Sequence, residues 1–344
     1  MKEQIDLIKE WRRLPAGSPI VLVTVVATQG STYRRPGARM LLTPEGWAAG
    51  SISGGCLEGD VVRTAWERTE NGPALVTYDA SADDDIVWGF GLGCNGIVQV
   101  LMERIPADGG VLAFLADCIE NRRSGVVATA VTEGPRLGEH RYEVPEDDSV
   151  AWLVERIDPP RSLVIFGAGH DAIPLVSMAK SVGWHVSVVD GRSAYARTDR
   201  FPGADAVITA PPHRAGDIGY DERTAVVLMT HNYLHDLELL RVVLPSRAGY
   251  VGLLGPHRRA QKLLGELRRE GYSPSEAELA KLHAPIGLDI GAEGADEIAL
   301  AVVSEIQAFF ASRPAGHLHG FSEPLHPPQT LLVASNRQSI SCDM

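Results

Sequence analysis

Three stretches of this sequence combine glycine with polar or charged side chains in an order that suits chemistry on anions. The sharpest is Leu163-Val164-Ile165-Phe166-Gly167-Ala168-Gly169-His170-Asp171-Ala172, a G-x-G-x-x-A that leaves an apolar run and opens a helical one. Gly167 permits a tight turn, Gly169 lets backbone approach a pyrophosphate, and Ala172 allows close packing of helix on strand. The helix N-terminus adds free N–H groups and a positive dipole end, so phosphates are expected on Gly167 to His170. Asp190 follows about 20 residues on, at the end of the next apolar run, where an acid can hold a ribose hydroxyl. Arg192 offers a guanidinium to a phosphate instead, which leaves the choice between NAD and NADP open. The bland alternative is a tight turn in a nucleotide-free domain.

The second stretch, Gly50-Ser51-Ile52-Ser53-Gly54-Gly55-Cys56-Leu57-Glu58-Gly59-Asp60, sets Ser53, Gly54 and Gly55 ahead of a helical pattern. Such a loop can direct several N–H and O–H donors at one anion. Upstream, Arg34, Arg35 and Arg39 form a local cation cluster in an acidic chain. Arginine matches phosphate oxygens bidentately, so an anionic ligand is expected there, the alternative being a solvated loop with scattered arginines. Cys56 sits where the loop meets the helix start, a position that favours thiolate. Cys94, in Gly91-Leu92-Gly93-Cys94-Asn95-Gly96, is flanked by glycines that leave backbone close to whatever it faces. Either thiol can equally be a small inert hydrophobe, which is the reading for Cys118 on an apolar helix face.

Other candidates are weaker. His231 follows an apolar run at a carboxyl strand end, where a capping or packing role is at least as expected as a catalytic one. None of the eight tyrosines has a lysine four positions on, so a common dehydrogenase proton relay is missing. The run Asp83-Asp84-Asp85 points its carboxylates in different directions and reads as a solvated turn. The four cysteines form no CxxC pair, which speaks against a zinc ribbon or a thioredoxin-like site.

These residues must be positioned by a chain of 344 residues, a length that predicts two domains. Its 44% hydrophobic and 22% charged composition is that of a soluble globular protein, and its formal charge of −12 argues against a broad nucleic-acid surface. No apolar run reaches the roughly 18 residues of a membrane span, and residues 1–10 lack a secretory pattern, so no membrane partner and a cytoplasmic location are expected. In the first half the spacing predicts a helix over 2–14, a strand over 19–28, a hairpin over 38–49, a helix over 56–68, strands over 74–78, 97–103 and 125–131, and a helix over 110–120. Asp158-Pro159-Pro160-Arg161 interrupts both patterns and marks a linker. Beyond it, strands over 163–166, 185–189, 204–208, 225–229 and 250–254 alternate with helices, the pattern of a parallel doubly wound sheet. The expected fold is therefore α/β, with an N-terminal mixed α/β domain over 1–157 and a C-terminal Rossmann-type doubly wound parallel sheet over 162–312. Residues 313–344, rich in Pro, His, Ser and Gln, are expected to form a disordered tail.

Taken together, Gly30-Ser31-Thr32, Gly54-Gly55-Cys56-Leu57-Glu58-Gly59 and Gly91-Leu92-Gly93-Cys94-Asn95-Gly96 resemble the N-terminal domain of the XdhC/CoxI family. Phe166-Gly167-Ala168-Gly169-His170, Arg200-Phe201-Pro202, Gly252-Leu253-Leu254-Gly255 and Pro285-Ile286-Gly287-Leu288-Asp289-Ile290 look like its Rossmann domain. The resemblance spans about residues 15–310. It implies a chaperone that binds molybdenum cofactor (molybdopterin), shields it while a terminal sulfido ligand is installed, and passes it to a xanthine dehydrogenase-like or carbon monoxide dehydrogenase-like apoprotein. A cysteine desulfurase and a second copy of the chain are the further partners it allows, and Cys56 and Cys94 become candidate contacts to molybdenum. Two other classes stay open: an NAD(P)-dependent oxidoreductase, and a nucleotide-sensing regulatory module.

Overall fold

The computed structural model describes residues 1–30, 32–79, 96–146, 149–320 and the backbone of 331–332. Ser31, the run Asp83 to Asp85, Cys94 with Gly91 and Gly93, and Cys342 lie outside the described residues. The chain separates into two compact units between Pro159 and Pro160.

The first unit is built on strand β1 (Val21–Gly30), whose run Val21 to Val26 is buried because both faces of its sheet are covered. Around it, β2 (Arg39–Thr43), β3 (Gly46–Gly50), β4 (Ala74–Asp79) and β5 (Gly96–Arg104) form a sheet of order β3-β2-β1-β5-β4, antiparallel throughout. Alternation along the strands sorts the core into two layers. Leu22 and Leu41 face Leu7 and Ile8 of helix α1 (Lys2–Arg13) and Leu112 and Leu115 of α3 (Gly110–Glu120). Val21, Val23, Met40 and Leu42 face Val61 and Ala65 of α2 (Glu58–Arg68).

A second sheet joins β6 (Gly125–Ala130), β7 (His140–Arg141) and β8 (Trp152–Ile157). The short strand β15 (Leu331–Leu332) pairs with Trp152 and Leu153 of β8, inside a stretch whose composition predicts no order. Strand β8 is absent from the sequence reading because Glu155 sits at an inward position. Glu155 is buried there against Arg39, a bidentate pair at 2.5 and 3.2 Å that breaks the apolar alternation.

The second unit is a parallel sheet of β9 (Ser162–Phe166), β10 (His185–Asp190), β11 (Ala206–Thr209), β12 (Thr224–Leu228), β13 (Tyr250–Leu253) and β14 (Leu282–His283), in the order β11-β10-β9-β12-β13-β14. Helices α4 (Ala172–Ser181) and α8 (Ala295–Phe310) cover one face through Leu175, Val176, Val302 and Ile306. Helices α5 (Tyr233–Val243) and α6 (His257–Arg269) cover the other through Leu240, Val243, Leu263 and Leu267; α7 (Glu276–Ala280) is a short connector. On α8, Glu305 ties down the sheet edge by accepting from Tyr250 Oη at 2.6 Å and Gly287 N at 2.6 Å, with His283 Nδ1 at 3.0 Å.

Candidate functional site

In the parallel sheet the direction of winding reverses between β9 and β12, and doubly wound folds bind ligands at the carboxyl ends of the strands at such a switch. Gly167 stands there with φ +117°, and a Cβ on it would lie 2.3 Å from the Met229 carbonyl oxygen. Only glycine lets the β9 and β12 loops approach this closely. Gly169 is different, since a Cβ there would meet nothing within 4 Å. The space beside it is open to whatever approaches the loop. Ala172 is fully buried at the start of α4, and His170 is exposed.

Asp190 reaches back to this loop. Its carboxylate accepts from Ala168 N at 2.8 Å and from three donors of Arg192: the backbone N at 2.9 Å, Nε at 2.9 Å and Nη2 at 2.7 Å. Burial works against its charge, but the hydrogen bonds from Arg192 and Ala168 outweigh it and hold the carboxyl below its ordinary range. The sequence reading offers Asp190 as an acceptor waiting for ribose; in the structure Arg192 already fills that place. Asp190 and Arg192 border an open cleft of about 100 Å³, lined also by the apolar Phe166, Val189 and Leu239 and the polar Thr230, Asn232 and His235. His231 adopts a left-handed φ of 57° and its Nε2 lies 3.1 Å from Asp171 Oδ2, at the N-cap of α4. It thereby links the loops on the two sides of the switch.

The N-terminal glycine loop is organised by a residue that the motif reading passed over. Gly50, at φ +78°, brings β3 so close to β2 that a Cβ would sit 2.1 Å from Arg39 O, and Ser51 N bonds that carbonyl at 3.0 Å. The chain then curls around the Glu58 carboxylate. Oε1 accepts from Ser51 Oγ at 2.8 Å, Ile52 N at 3.1 Å and Ser53 N at 2.9 Å; Oε2 accepts from Gly55 N at 3.1 Å and from Ser53 Oγ. Burial opposes the charge, yet the donors of Ser53 and Ser51 prevail and hold the carboxyl at about 2. The loop's donors therefore converge on an anion, as expected, but the anion is the chain's own. This turn also delays the helix: α2 begins at Glu58, so Cys56 lies in the turn before it and not in its first turn. A glutamate at the first helical position behind two serines was the available signal.

Arg34, Ser53, Gly54 and Cys56 line one pocket, together with Tyr33 and Tyr78, which the sequence reading did not single out. Gly96, two positions after Cys94, lines the same pocket. Cys56 is a half-buried free thiol, whereas Cys118 is packed in the core. The arginine cluster does not stay together. Arg34 pairs with Glu3 at 2.6 Å and stacks 5.1 Å from the centre of the Tyr33 ring, Arg35 is exposed, and Arg39 is buried against Glu155. Arg39 is thus a structural cation, withdrawn from any ligand by its carboxylate partner. Among the described residues no group of three or more His, Cys, Asp or Glu side chains is placed to hold a metal ion.

The second unit thus has the strand order, glycine turn and carboxyl-end cleft of a Rossmann-type domain, joined in one chain to an antiparallel α/β unit. Comparison with known proteins gives that combination a family. Residues 163–306 match the XdhC Rossmann domain and residues 14–79 match the XdhC and CoxI family. A Bacillus subtilis (strain 168) protein, named as a probable component of xanthine dehydrogenase, is 35% identical over 314 residues, covering 83% of this chain and 92% of its own. The molybdenum cofactor insertion chaperone PaoD of Escherichia coli (strain K12) is 26% identical, covering 85% of this chain and 84% of its own. A crystal structure from Bacillus halodurans, described as a xanthine dehydrogenase, superimposes with a TM-score of 0.77 at 29% identity over 94% of this chain and 98% of its own. This chain belongs to the XdhC/CoxI family. No described helix is long and apolar enough to cross a membrane.

Proposed function

We propose that this chain is a cytoplasmic handler of molybdenum cofactor, which it holds as cargo while a cysteine desulfurase partner supplies the terminal sulfido ligand, and then delivers to a xanthine dehydrogenase-like or carbon monoxide dehydrogenase-like apoprotein. The observation that carries this reading is the pocket that gathers Cys56, Arg34, Ser53 and Gly54. A molybdenum centre bound to a dithiolene is soft enough to favour a nearby thiolate, and a guanidinium suits the phosphate end of a pterin cofactor. The relationship to a protein named a molybdenum cofactor insertion chaperone supports the same assignment. Cys94 is the second thiol of this reading. In the C-terminal unit, phosphates lie on Gly167 to His170 and ribose on Asp190, the nucleotide being NAD(P), another adenine nucleotide or the nucleotide-like end of the cargo.

Protein purified from molybdate-fed cells should carry molybdenum and pterin, and the Cys56→Ala and Cys94→Ala variants should lose part of both while melting as the wild type does. Absence of both from the wild type would end the cargo reading. Unchanged content in both variants would make the thiols packing residues and leave the backbone donors to hold the cargo.

A further inference from the structure

We propose that Tyr33 is the residue on which the pterin ring of the cargo stacks, so that the N-terminal pocket recognises a planar conjugated heterocycle through an aromatic face. The inference rests on the reading that this pocket holds the cofactor, and adds which end of it the pocket grips and by which residue.

Among the described residues Tyr33 is the most exposed large hydrophobic side chain, at 70%, and it belongs to none of the apolar clusters of its unit. Packing of the core therefore gives no account of it. Its ring is nevertheless held. A Cβ built on Gly54 would lie 3.5 to 3.9 Å from three of its ring atoms, so the bare Gly54 backbone stands beside it. The Arg34 guanidinium lies 5.1 Å from the ring centre and is itself tied to Glu3 Oε1 at 2.6 Å and Ser53 O at 3.4 Å. An aromatic ring that is braced yet uncovered loses little freedom when a second ring settles on it.

The rest of the pocket suits a ring better than a phosphate. Ile52, Leu57 and Val98 line it with carbon, and Tyr78 lines it with its hydroxyl already committed to Asp60 Oδ2 at 2.8 Å. The backbone N–H groups of Ile52, Ser53 and Gly55 and the hydroxyls of Ser51 and Ser53 are spent on the Glu58 carboxylate. Arg34 is the one cation among the described lining residues, and Glu3 shares it. A phosphate thus finds a single guanidinium here, whereas a ring finds an aromatic and aliphatic surface beside the Cys56 thiol. Stacking on an aromatic side chain tolerates the polar edge of a heterocycle, because only its face is desolvated.

The test pairs a probe with the cargo itself. Free pterin is titrated into full-length wild type, Tyr33→Ala, Tyr33→Leu and Tyr33→Phe made in a strain that produces no molybdopterin, and binding is read from quenching of pterin fluorescence. The same four proteins are also purified from molybdate-fed, cofactor-producing cells for molybdenum and pterin content. Because Tyr33 is exposed, the variants should melt as wild type does. Tyr33→Ala and Tyr33→Leu should each weaken the probe by at least about tenfold, the size of a lost base–aromatic stack, and lower the bound pterin, while Tyr33→Phe stays within about twofold of wild type. Wild-type affinity in Tyr33→Leu would reduce the position to an apolar wall and overturn the stacking, as would wild-type affinity in Tyr33→Ala. A wild type that carries molybdenum and pterin but leaves the probe unquenched would place the ring elsewhere, overturning this inference while the cargo reading stands. A wild type that carries neither would end the cargo reading and this inference with it.

Discussion

The two glycine-rich loops of this chain both run into a helix, and they dispose of their donors in opposite ways. Around residues 51–55, two serine hydroxyls and three backbone N–H groups all turn inward to the Glu58 carboxylate. Around residues 167–170 only Ala168 N bonds an internal acid, and Gly169 faces open space. A run of glycine and serine before a helix thus specifies a nest for an anion without specifying whose anion. Where a glutamate opens the helix, the nest caps the chain itself; where it does not, the nest stays available.

The comparison can be broken most forcefully through the residues that hold each loop in place. Arg39, on whose carbonyl the N-terminal loop is hung, is buried with Glu155, so Arg39→Ala should cost about 3–5 kcal/mol in denaturant unfolding by stranding a buried carboxylate. A paired Arg39→Met, Glu155→Leu replacement should recover most of it; failure to recover would place the cost elsewhere. Gly167→Ala should follow at about 3 kcal/mol, since a Cβ would meet the Met229 carbonyl at a positive φ.

Glu58→Gln should lower stability by about 1–3 kcal/mol, the range for hydrogen bonds to a charged group. Its pH signature is more specific than its size. Because the folded carboxyl is depressed, the stability it adds is fully present above the ordinary value of 4.5 and is lost as pH falls towards about 2. Acid unfolding curves of Glu58→Gln should therefore lose slope in that window, and an unaltered acid limb would show that Glu58 is not the organiser. The smallest expected effect is Gly169→Ala, with stability within about 0.5 kcal/mol of wild type, as for substitutions at open sites. A large drop in the melting temperature there would mean that this loop, too, is packed inward.

How much of this could be read beforehand differs between the units. The parallel sheet was legible because its strands, such as Leu163 to Phe166 and Ala225 to Leu228, are continuous apolar runs broken by a glycine turn with an acid at the second strand end. In the first unit the apolar strands and helices were legible too, while β8 was hidden by the buried Glu155, whose partner Arg39 is remote in sequence. The site followed the same division. Spacing identified Gly167, Gly169 and Asp190 as neighbours, and it grouped Cys56 with Ser53 and Gly54. It could not separate Arg34 from Arg39, because what distinguishes them is a carboxylate brought in by tertiary pairing. Nor could it show that Arg192 occupies Asp190, which depends on where a turn two residues long directs a side chain.

The position of α8 in the chain has a consequence for biosynthesis. Its residues Val302 and Ile306 cover the sheet face shared with α4, the helix that the glycine turn launches, and its Glu305 fastens the edge strands. A ribosome delivers this cover last. Until residues 295–310 have emerged, a nascent chain carries the whole fingerprint with one apolar face of its sheet covered by α4 alone, and chains grow at only about 5–20 residues per second. Chains arrested before residue 295 should therefore stay protease-sensitive from β9 onward, and those arrested after residue 320 has cleared the tunnel should not. During that interval the part of this sheet face that α8 covers is open to solvent, although no residue lining the cleft belongs to α8.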